Sequence, residues 1–396
     1  MLDAASWAGR LGGDTFLAQT YHRSYAHFPG TADMASDLLS WDDLNRIIAA
    51  QRLEPPRLRL SLDGEMVPLH RYAIPTTNRR AVTWSRIQPS DFHVQLREGA
   101  SLVLDAVEKI HPAVGAAAEG LERFLGTSVQ ANVYASWTER EGFGRHWDDH
   151  DVVVVQLHGS KRWRLWGMTR EAPTFRDVES PEEPEGDPVA DLVLSPGDVL
   201  YLPRGWWHSV TADQGTESLH LTFGMVPHTG ADLMLWVVDQ LRASLALRRD
   251  IPRFGSLAEQ SDFIDAVRRE VSDMMADPHL VERWAESIDT TDLGHAIPSL
   301  PYVDGLPARG EITVKLTVPR GRLTANREQG TVTFSAAGTA WDFAESAAPA
   351  LGTLLTNQPI TLGELADSSG LEVKDVAELV SVLIDGHAVA VVGTAL

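Results

Sequence analysis

Residues 142–163 read GFGRHWDDHDVVVVQLHGSKRW. The first half crowds His146, Asp148, Asp149, His150 and Asp151 together, and a run of four valines follows at 152–155. Clustered charge belongs to solvated loops, whereas consecutive β-branched residues belong to a buried strand. Acid and imidazole therefore stand at the mouth of an apolar strand, where they can hold a cation. On an extended chain, residues two apart share a face, so His146 and Asp148 are expected on one strand face, aimed at one point. His150 has the same parity, but four residues span about 13 Å, too far to share an ion with His146. It is expected beside the ion or in solvent, and His158, in the HGS turn, in solvent.

A third ligand must come from elsewhere. The segment PGDVLYLPRGWWHSV (residues 196–210) reads as turn, strand and then His208 opening the next strand. A His-x-Asp pair with a distant His is the two-histidine, one-carboxylate set that leaves positions open on non-haem Fe(II). Taken alone, the pair also reads as a surface ion pair. The chain has no Cys, so any metal must be held by His and carboxylate.

Working outward, the 396 residues are enough for two or three domains, and 43% hydrophobic with 22% charged residues is a globular composition. Up to about residue 228, helical pieces precede many short β-like runs broken by Gly, Pro and Asp, the pattern of a sandwich or barrel. From about residue 231 to 288, wide apolar stripes indicate helices, which pack on their own domain or form a homodimer contact. A proline-rich stretch at 295–310 reads as a linker. Beyond it come two strands and then helix, turn, helix, turn, helix and short strand, the order of a winged helix. Lys374 is the only Lys or Arg between Ala350 and Leu396, which argues against DNA binding there.

The formal charge of −21, from 55 acidic and 34 basic residues, repels nucleic acid overall and suits a basic partner, though a local basic groove remains possible. The opening residues lack the basic and apolar regions of a secretory signal, and no apolar run is long enough to cross a bilayer. A cytoplasmic protein without membrane association is expected.

The segments NVYASW, GFGRHWDDHDVVVVQLHGSKRWRLW, PGDVLYLPRGWWHSV and SLHLTFG together resemble the JmjC-type 2-oxoglutarate oxygenases, and among them the ribosomal oxygenases that hydroxylate ribosomal proteins. The resemblance implies an α+β fold: a double-stranded β-helix (cupin or jelly-roll) catalytic domain at 1–228, a helical dimerisation region at 229–300, and a winged-helix-like domain at 301–396. It implies Fe(II), 2-oxoglutarate and O2 as cofactors, with His146, Asp148 and His208 as iron ligands. Lys161 matches the basic residue that pairs with the distal carboxylate of 2-oxoglutarate. Asn132 and Tyr134 lie on the strand that supplies polar contacts to the cosubstrate, and Ser218 and His220 lie near the substrate side. Without the resemblance, Lys161 reads as a turn lysine, and Tyr134 and His220 as core residues. Trp137, Trp147, Trp206 and Trp207 are expected to wall the site.

The expected activity is protein hydroxylation, on an Arg or His side chain of a basic ribosomal protein. Alternatives are a hydroxylase tailoring a peptide natural product, a lysine demethylase of the same fold, a zinc or manganese cupin isomerase, and a non-enzymatic regulatory protein using the winged-helix end.

Overall fold

The computed structural model describes residues 2–174, 182–295 and 297–393. The residues outside that description fall within each of the three expected domains: Met1 and 175–181, Ala296, and 394–396. The chain divides into two compact units, Met1–Pro227 and His228–Leu396.

In the first unit the strands are β1 (Ala26–Phe28), β2 (Leu58–Leu62), β3 (Glu65–Met66), β4 (Ala73–Thr77), β5 (Thr83–Ile87), β6 (Ser101–Leu104), β7 (Val129–Ser136), β8 (Asp151–His158), β9 (Lys161–Met168), β10 (Ala190–Leu194), β11 (Val199–Leu202), β12 (Trp206–Ala212) and β13 (Ser218–Met225). Its helices are α1 (Ala4–Leu11), α2 (Gly13–Gln19), α3 (Ala32–Ser36), α4 (Trp41–Ala50), α5 (Pro89–Arg97) and α6 (Pro112–Leu125). One sheet has eight strands in the order β1-β11-β8-β13-β7-β6-β2-β3, a second has β10-β9-β12, and β4 and β5 form a separate hairpin.

The valine run explains how these layers stack. Val153 and Val155 join the main core with Trp7, Leu121 and Phe223, whereas Val152 and Val154 pack with Trp163, Leu165, Leu194 and Leu200. Strand β8 is thus covered on both faces, and for that reason its sequence does not alternate. Each valine so buried contributes about 1.5–3 kcal/mol relative to exposure.

Helix α6 starts at Pro112, whose missing N–H costs nothing in the first turn, and ends at Gly126 in the left-handed conformation (φ 68°). Val114, Ala117, Ala118 and Leu121 form its buried stripe, and Ala117 O accepts a 2.8 Å hydrogen bond from Trp7 Nε1 of α1.

The short HGS turn after β8 reads on its own as a hairpin, and the structure corrects that reading. A hairpin would bring Lys161 back beside β8, but β9 pairs with β10 and β12 instead, so the chain crosses from one sheet to the other. Gly159 makes the crossing possible: its φ is 62°, and a Cβ there would lie 1.8 Å from Glu217 O. Lys161 therefore reaches the space between the sheets from the small one.

The second unit begins with α7 (Gly230–Gln240), α8 (Leu245–Arg248), α9 (Leu257–Met275) and α10 (Leu280–Thr291). The strands β14 (Thr313–Leu316), β15 (Arg322–Asn326), β16 (Thr331–Ala336) and β17 (Thr339–Ala344) follow, then α11 (Ala348–Leu354), β18 (Ile360–Thr361), α12 (Leu362–Ser369), α13 (Val373–Asp385) and β19 (Val389–Gly393). Sheets β18-β14-β19 and β15-β16-β17 share a core with α11, α12 and α13. Arg320 joins this part to α10 and its following turn through ion pairs with Asp289 and Asp292.

Candidate metal centre

His146 and Asp148 do not stand on a strand, contrary to the expectation from parity. Strand β8 starts only at Asp151, and His146 is pinned by an isolated antiparallel bridge to His208: His146 N donates to His208 O (3.0 Å) and His208 N to His146 O (2.7 Å). Gly205 N donates to Asp148 O (2.9 Å). An irregular segment fastened at both ligands to the start of β12 brings all three side chains to one point.

The donor atoms of His146, Asp148 and His208 all lie within 4.8 Å of one another, and His208 Nε2 is 3.7 Å from Asp148 Oδ2. The Nδ1 of His146 is 3.0 Å from Gly144 O, and that of His208 is 3.0 Å from Trp206 O. A carbonyl only accepts, so each Nδ1 carries the hydrogen and each Nε2 offers a lone pair, as a metal-binding imidazole requires. Burial, with His146 alongside, lowers the pKa of His208 to about 4, which keeps it unprotonated at neutral pH. For Asp148, burial pushes the pKa upward, but the three neighbouring histidines, His208 foremost, outweigh it and the carboxyl sits below its ordinary value. Two imidazoles with free Nε2 atoms and one carboxylate are a donor set that a divalent metal fits.

These side chains open into a cavity of about 370 Å³ between the sheets. Lys161 lies in its wall, 4% exposed, donating to Ser136 Oγ. Burial alone lowers its pKa to about 7, and among the described residues no carboxylate lies within ion-pair distance of it. A buried ammonium without a counter-ion is a receptor for an anion. Nearby, His220 Nδ1 and Trp163 Nε1 are buried without hydrogen-bond partners, so the cavity wall has polar atoms to spare.

The remaining expected residues divide. Asn132 lines the cavity, its Oδ1 accepting from Ala106 N (3.1 Å) and Gln130 Nε2 (2.9 Å). Tyr134 lines it too, stacked on His220 at 5.1 Å. Ser218 is fully buried and does not line the cavity, because its hydroxyl is engaged by Gln156 Nε2 (2.9 Å); the hydroxyl that meets Lys161 belongs to Ser136.

His150 lines the cavity beside the His146, Asp148 and His208 cluster, the first of its two expected places, its ring seated where a Cβ on Gly224 would come within 2.8 Å. His158 is not in solvent: its ring is 6.2 Å from that of Trp41, and its Nε2 is buried. The expected tryptophan wall is absent from the cavity lining among the described residues, where Trp163 and Phe143 stand instead. Trp137 packs on Trp41 and Trp206 on Tyr25, while Trp207 Nε1 donates to Thr169.

Sequence reasoning missed Arg59 and Asp105, an ion pair on the cavity wall. The signal was available: Arg59 falls between two buried leucines of LRLSL, and Asp105 keeps the parity of Ser101 on β6. Asp151 proves structural. It accepts from Tyr201 Oη, from Arg204 N (2.9 Å) and from His22 Nδ1 (2.8 Å), fixing the start of β8.

Comparison with known proteins agrees with this arrangement. Residues 109–233 match the family model described as JmjC domain. The chain is 30% identical over 257 residues to the bifunctional lysine-specific demethylase and histidyl-hydroxylase NO66 of Drosophila pseudoobscura pseudoobscura, covering 60% of this chain and 25% of that protein. It is 37% identical over 143 residues to ribosomal oxygenase 2 of Rattus norvegicus, covering 34% of this chain and 30% of the relative. The chain thus spans well under half the length of these curated relatives. Among solved structures, the ribosomal oxygenase YcfD from Escherichia coli aligns with a TM-score of 0.60 at 17% identity, over 96% of this chain and 97% of that one. A second YcfD structure, aligned at the same TM-score of 0.60, is in complex with cobalt and 2-oxoglutarate. The fold is shared with YcfD throughout, and the chain carries a JmjC domain over residues 109–233.

Proposed function

We propose that the protein is an Fe(II)- and 2-oxoglutarate-dependent protein hydroxylase acting on an Arg or His side chain of a ribosomal protein. The observation that carries this reading is the convergence of His146, Asp148 and His208 within 4.8 Å, in one cavity with a buried lysine that has no carboxylate partner among the described residues. The names of the relatives, NO66 histidyl-hydroxylase and ribosomal oxygenase, and the 2-oxoglutarate in the YcfD complex support it.

In this reading His146, Asp148 and His208 hold the metal, and Lys161 holds the distal carboxylate of 2-oxoglutarate. Ferrous iron with 2-oxoglutarate supplies the activation of O2, one oxygen atom entering a C–H bond of the substrate while the cosubstrate loses CO2 and becomes succinate. The chain's own part is to orient and to exclude water. The backbone bridge between His146 and His208 fixes the metal ligands before any ligand arrives. The Gly144 and Trp206 carbonyls hold the two imidazoles in the ligating tautomer. Trp163, Tyr134 and Phe143 dry the wall, which strengthens the attraction between Lys161 and a carboxylate. Ser218 stays outside this wall, its hydroxyl held by Gln156 Nε2, which also donates to His158 O and Gly159 O at the turn before Lys161.

The second unit is assigned two further roles. Its helices and the connection before α9 leave Leu235, Phe254, Leu257 and Ile264 exposed by 61, 92, 86 and 52%, and α9 buries no residue, which supports a homodimer contact across residues 229–300. Residues 301–396 are proposed as a winged-helix-like module that does not engage DNA, since Lys374 of α13 is already paired with Glu378. No described helix is long and apolar enough to cross a membrane; a cytoplasmic location is part of the proposal.

The test is mass spectrometry of ribosomal proteins from cells with and without the gene. The reading predicts one Arg or His carrying an additional oxygen only when the protein is present. Loss of a methyl group from lysine would assign the demethylase alternative, and an unchanged set of ribosomal proteins would remove the ribosomal substrate.

A further inference from the structure

Away from the metal centre, one region runs against the acidity of the chain. Residues 46–97 hold nine arginines against four carboxylates, within a protein of net charge −21. Arg46, Arg59 and Arg71 pair with Asp43, Asp105 and Glu98. Arg52, Arg79, Arg80 and Arg86 are exposed and take part in no ion pair among the described residues. A local excess of arginine over carboxylate in a chain that is acidic overall, with four exposed cations in one short segment, marks an electrostatic footprint.

The fold sets Arg52 and Arg86 in the wall of a groove and Arg79 and Arg80 at the tip of the hairpin that forms one side of it. The β4–β5 hairpin pairs Thr76 with Trp84 and Ile74 with Arg86, so Trp84 and Arg86, two apart on β5, share a face. That face and the end of α4 enclose a cavity of about 620 Å³. Arg52 and Arg86 line it with Trp84, Asn45 and Gln51, and no carboxylate does. The Arg52 guanidinium lies 4.3 Å from the Trp84 ring centroid, a stacked pair of flat groups. The hairpin tip is built rather than loose: Asn78 Oδ1 accepts from Arg80 N (2.9 Å) and Val82 N (3.1 Å), which holds Arg79 and Arg80 at the end of the hairpin.

We propose that this groove binds single-stranded nucleic acid, with phosphates on Arg79, Arg80 and Arg86 and a base against the Trp84–Arg52 stack. Free cations along a groove with an aromatic floor are the two elements of sequence-tolerant single-strand binding. An acidic peptide would use the cations but has no use for the flat aromatic pair, and a duplex keeps its bases stacked on one another and offers no free base face to Trp84. This inference is independent of the oxygenase reading, because none of these residues lines the metal cavity.

The experiment is fluorescence anisotropy of the full chain with a labelled short oligouridylate, the matching oligothymidylate and a glutamate-rich peptide, each over a series of KCl concentrations. One or both strands are expected to bind, oligouridylate alone indicating RNA and equal binding indicating backbone and base-face recognition only. The triple variant Arg79→Glu, Arg80→Glu, Arg86→Glu is expected to lose at least about tenfold in affinity and to flatten the log–log salt slope by about 2, since each single-strand phosphate contact contributes about 0.7. Trp84→Ala is expected to weaken binding by about 5- to 100-fold with the slope unchanged. Thermal melts of the variants establish that the fold is kept, and the arginines, being exposed, provide the arm least able to disturb it. The proposal is overturned if neither strand binds the unmodified chain, if the triple variant binds as well as the parent, or if the glutamate peptide binds as tightly as the strands and Trp84→Ala leaves all three unaffected.

Discussion

At the scale of single residues, the acids ahead of the valine run divide by role. Asp148 turns to the two imidazoles, Asp149 holds His150, and Asp151 anchors the strand. His208→Ala or Asp148→Ala is therefore expected to abolish Fe(II) binding, followed by isothermal calorimetry under anaerobic conditions, while the melting temperature without metal stays within a few degrees. Asp151→Ala belongs to another class. It strips the acceptor from Tyr201, Arg204 N and His22 and is expected to cost about 3–5 kcal/mol in urea unfolding, the usual effect of breaking a buried charged network. Although burial pushes the Asp151 pKa upward, its hydrogen bonds bring it below 3.8. Its folded value thus lies under its unfolded one, so its stabilisation is complete above pH 3.8 and is lost as the pH falls through the folded value. Lys161 carries the opposite sign. With its pKa depressed to about 7, the charged form that a carboxylate needs declines as pH rises. The Kd for 2-oxoglutarate is predicted to weaken by up to about tenfold per pH unit above 7, and a Kd constant from acid to alkaline pH would show that Lys161 does not hold it.

At the scale of elements, the turn between β8 and β9 is the joint that brings Lys161 from the small sheet into the cavity that His146, Asp148 and His208 also line. Gly159→Ala places a Cβ against Glu217 O and imposes a strained φ, and is expected to cost about 2–4 kcal/mol in denaturant unfolding. This joint also marks how far the sequence could be read. The ligands were legible because their chemistry is local: a His-x-Asp before an apolar run, and a histidine after a Pro-Gly turn. The strands around them were legible from composition and turns. The destination of β9 was not, because a short turn is compatible with a hairpin or a sheet crossing, and the choice is made by packing of Trp163 and Leu165 onto Val152 and Val154. His150 was legible as a neighbour of the His146, Asp148 and His208 cluster and not a member of it, although 146–150 is irregular where extended backbone was expected. Arg59 and Asp105 escaped notice because they meet only through the pairing of β2 with β6, over 46 residues of sequence separation.

At the scale of the whole molecule, a strongly acidic chain sets three arginines, unpaired among the described residues, on the β4–β5 hairpin and leaves large apolar side chains bare in residues 229–300. Leu235→Glu together with Ile264→Glu is predicted to convert a dimer to monomers in sedimentation velocity without lowering the melting temperature of the first unit; an unmodified protein that sediments as a monomer would remove the dimer. The charge balance bears on substrate encounter as well, and association with a basic substrate protein is expected to slow as salt rises, since screening shortens the reach of the field. The central claim is that two imidazoles and one carboxylate hold ferrous ion with positions left open for a 2-oxoacid. Anaerobic titration of the metal-free protein with Fe(II) and then 2-oxoglutarate, followed by visible absorption, tests it most directly. The account predicts a weak charge-transfer band that appears only with both present and is lost in His146→Ala. A band unaffected by His146→Ala, or no band at saturating Fe(II) and 2-oxoglutarate, would contradict it.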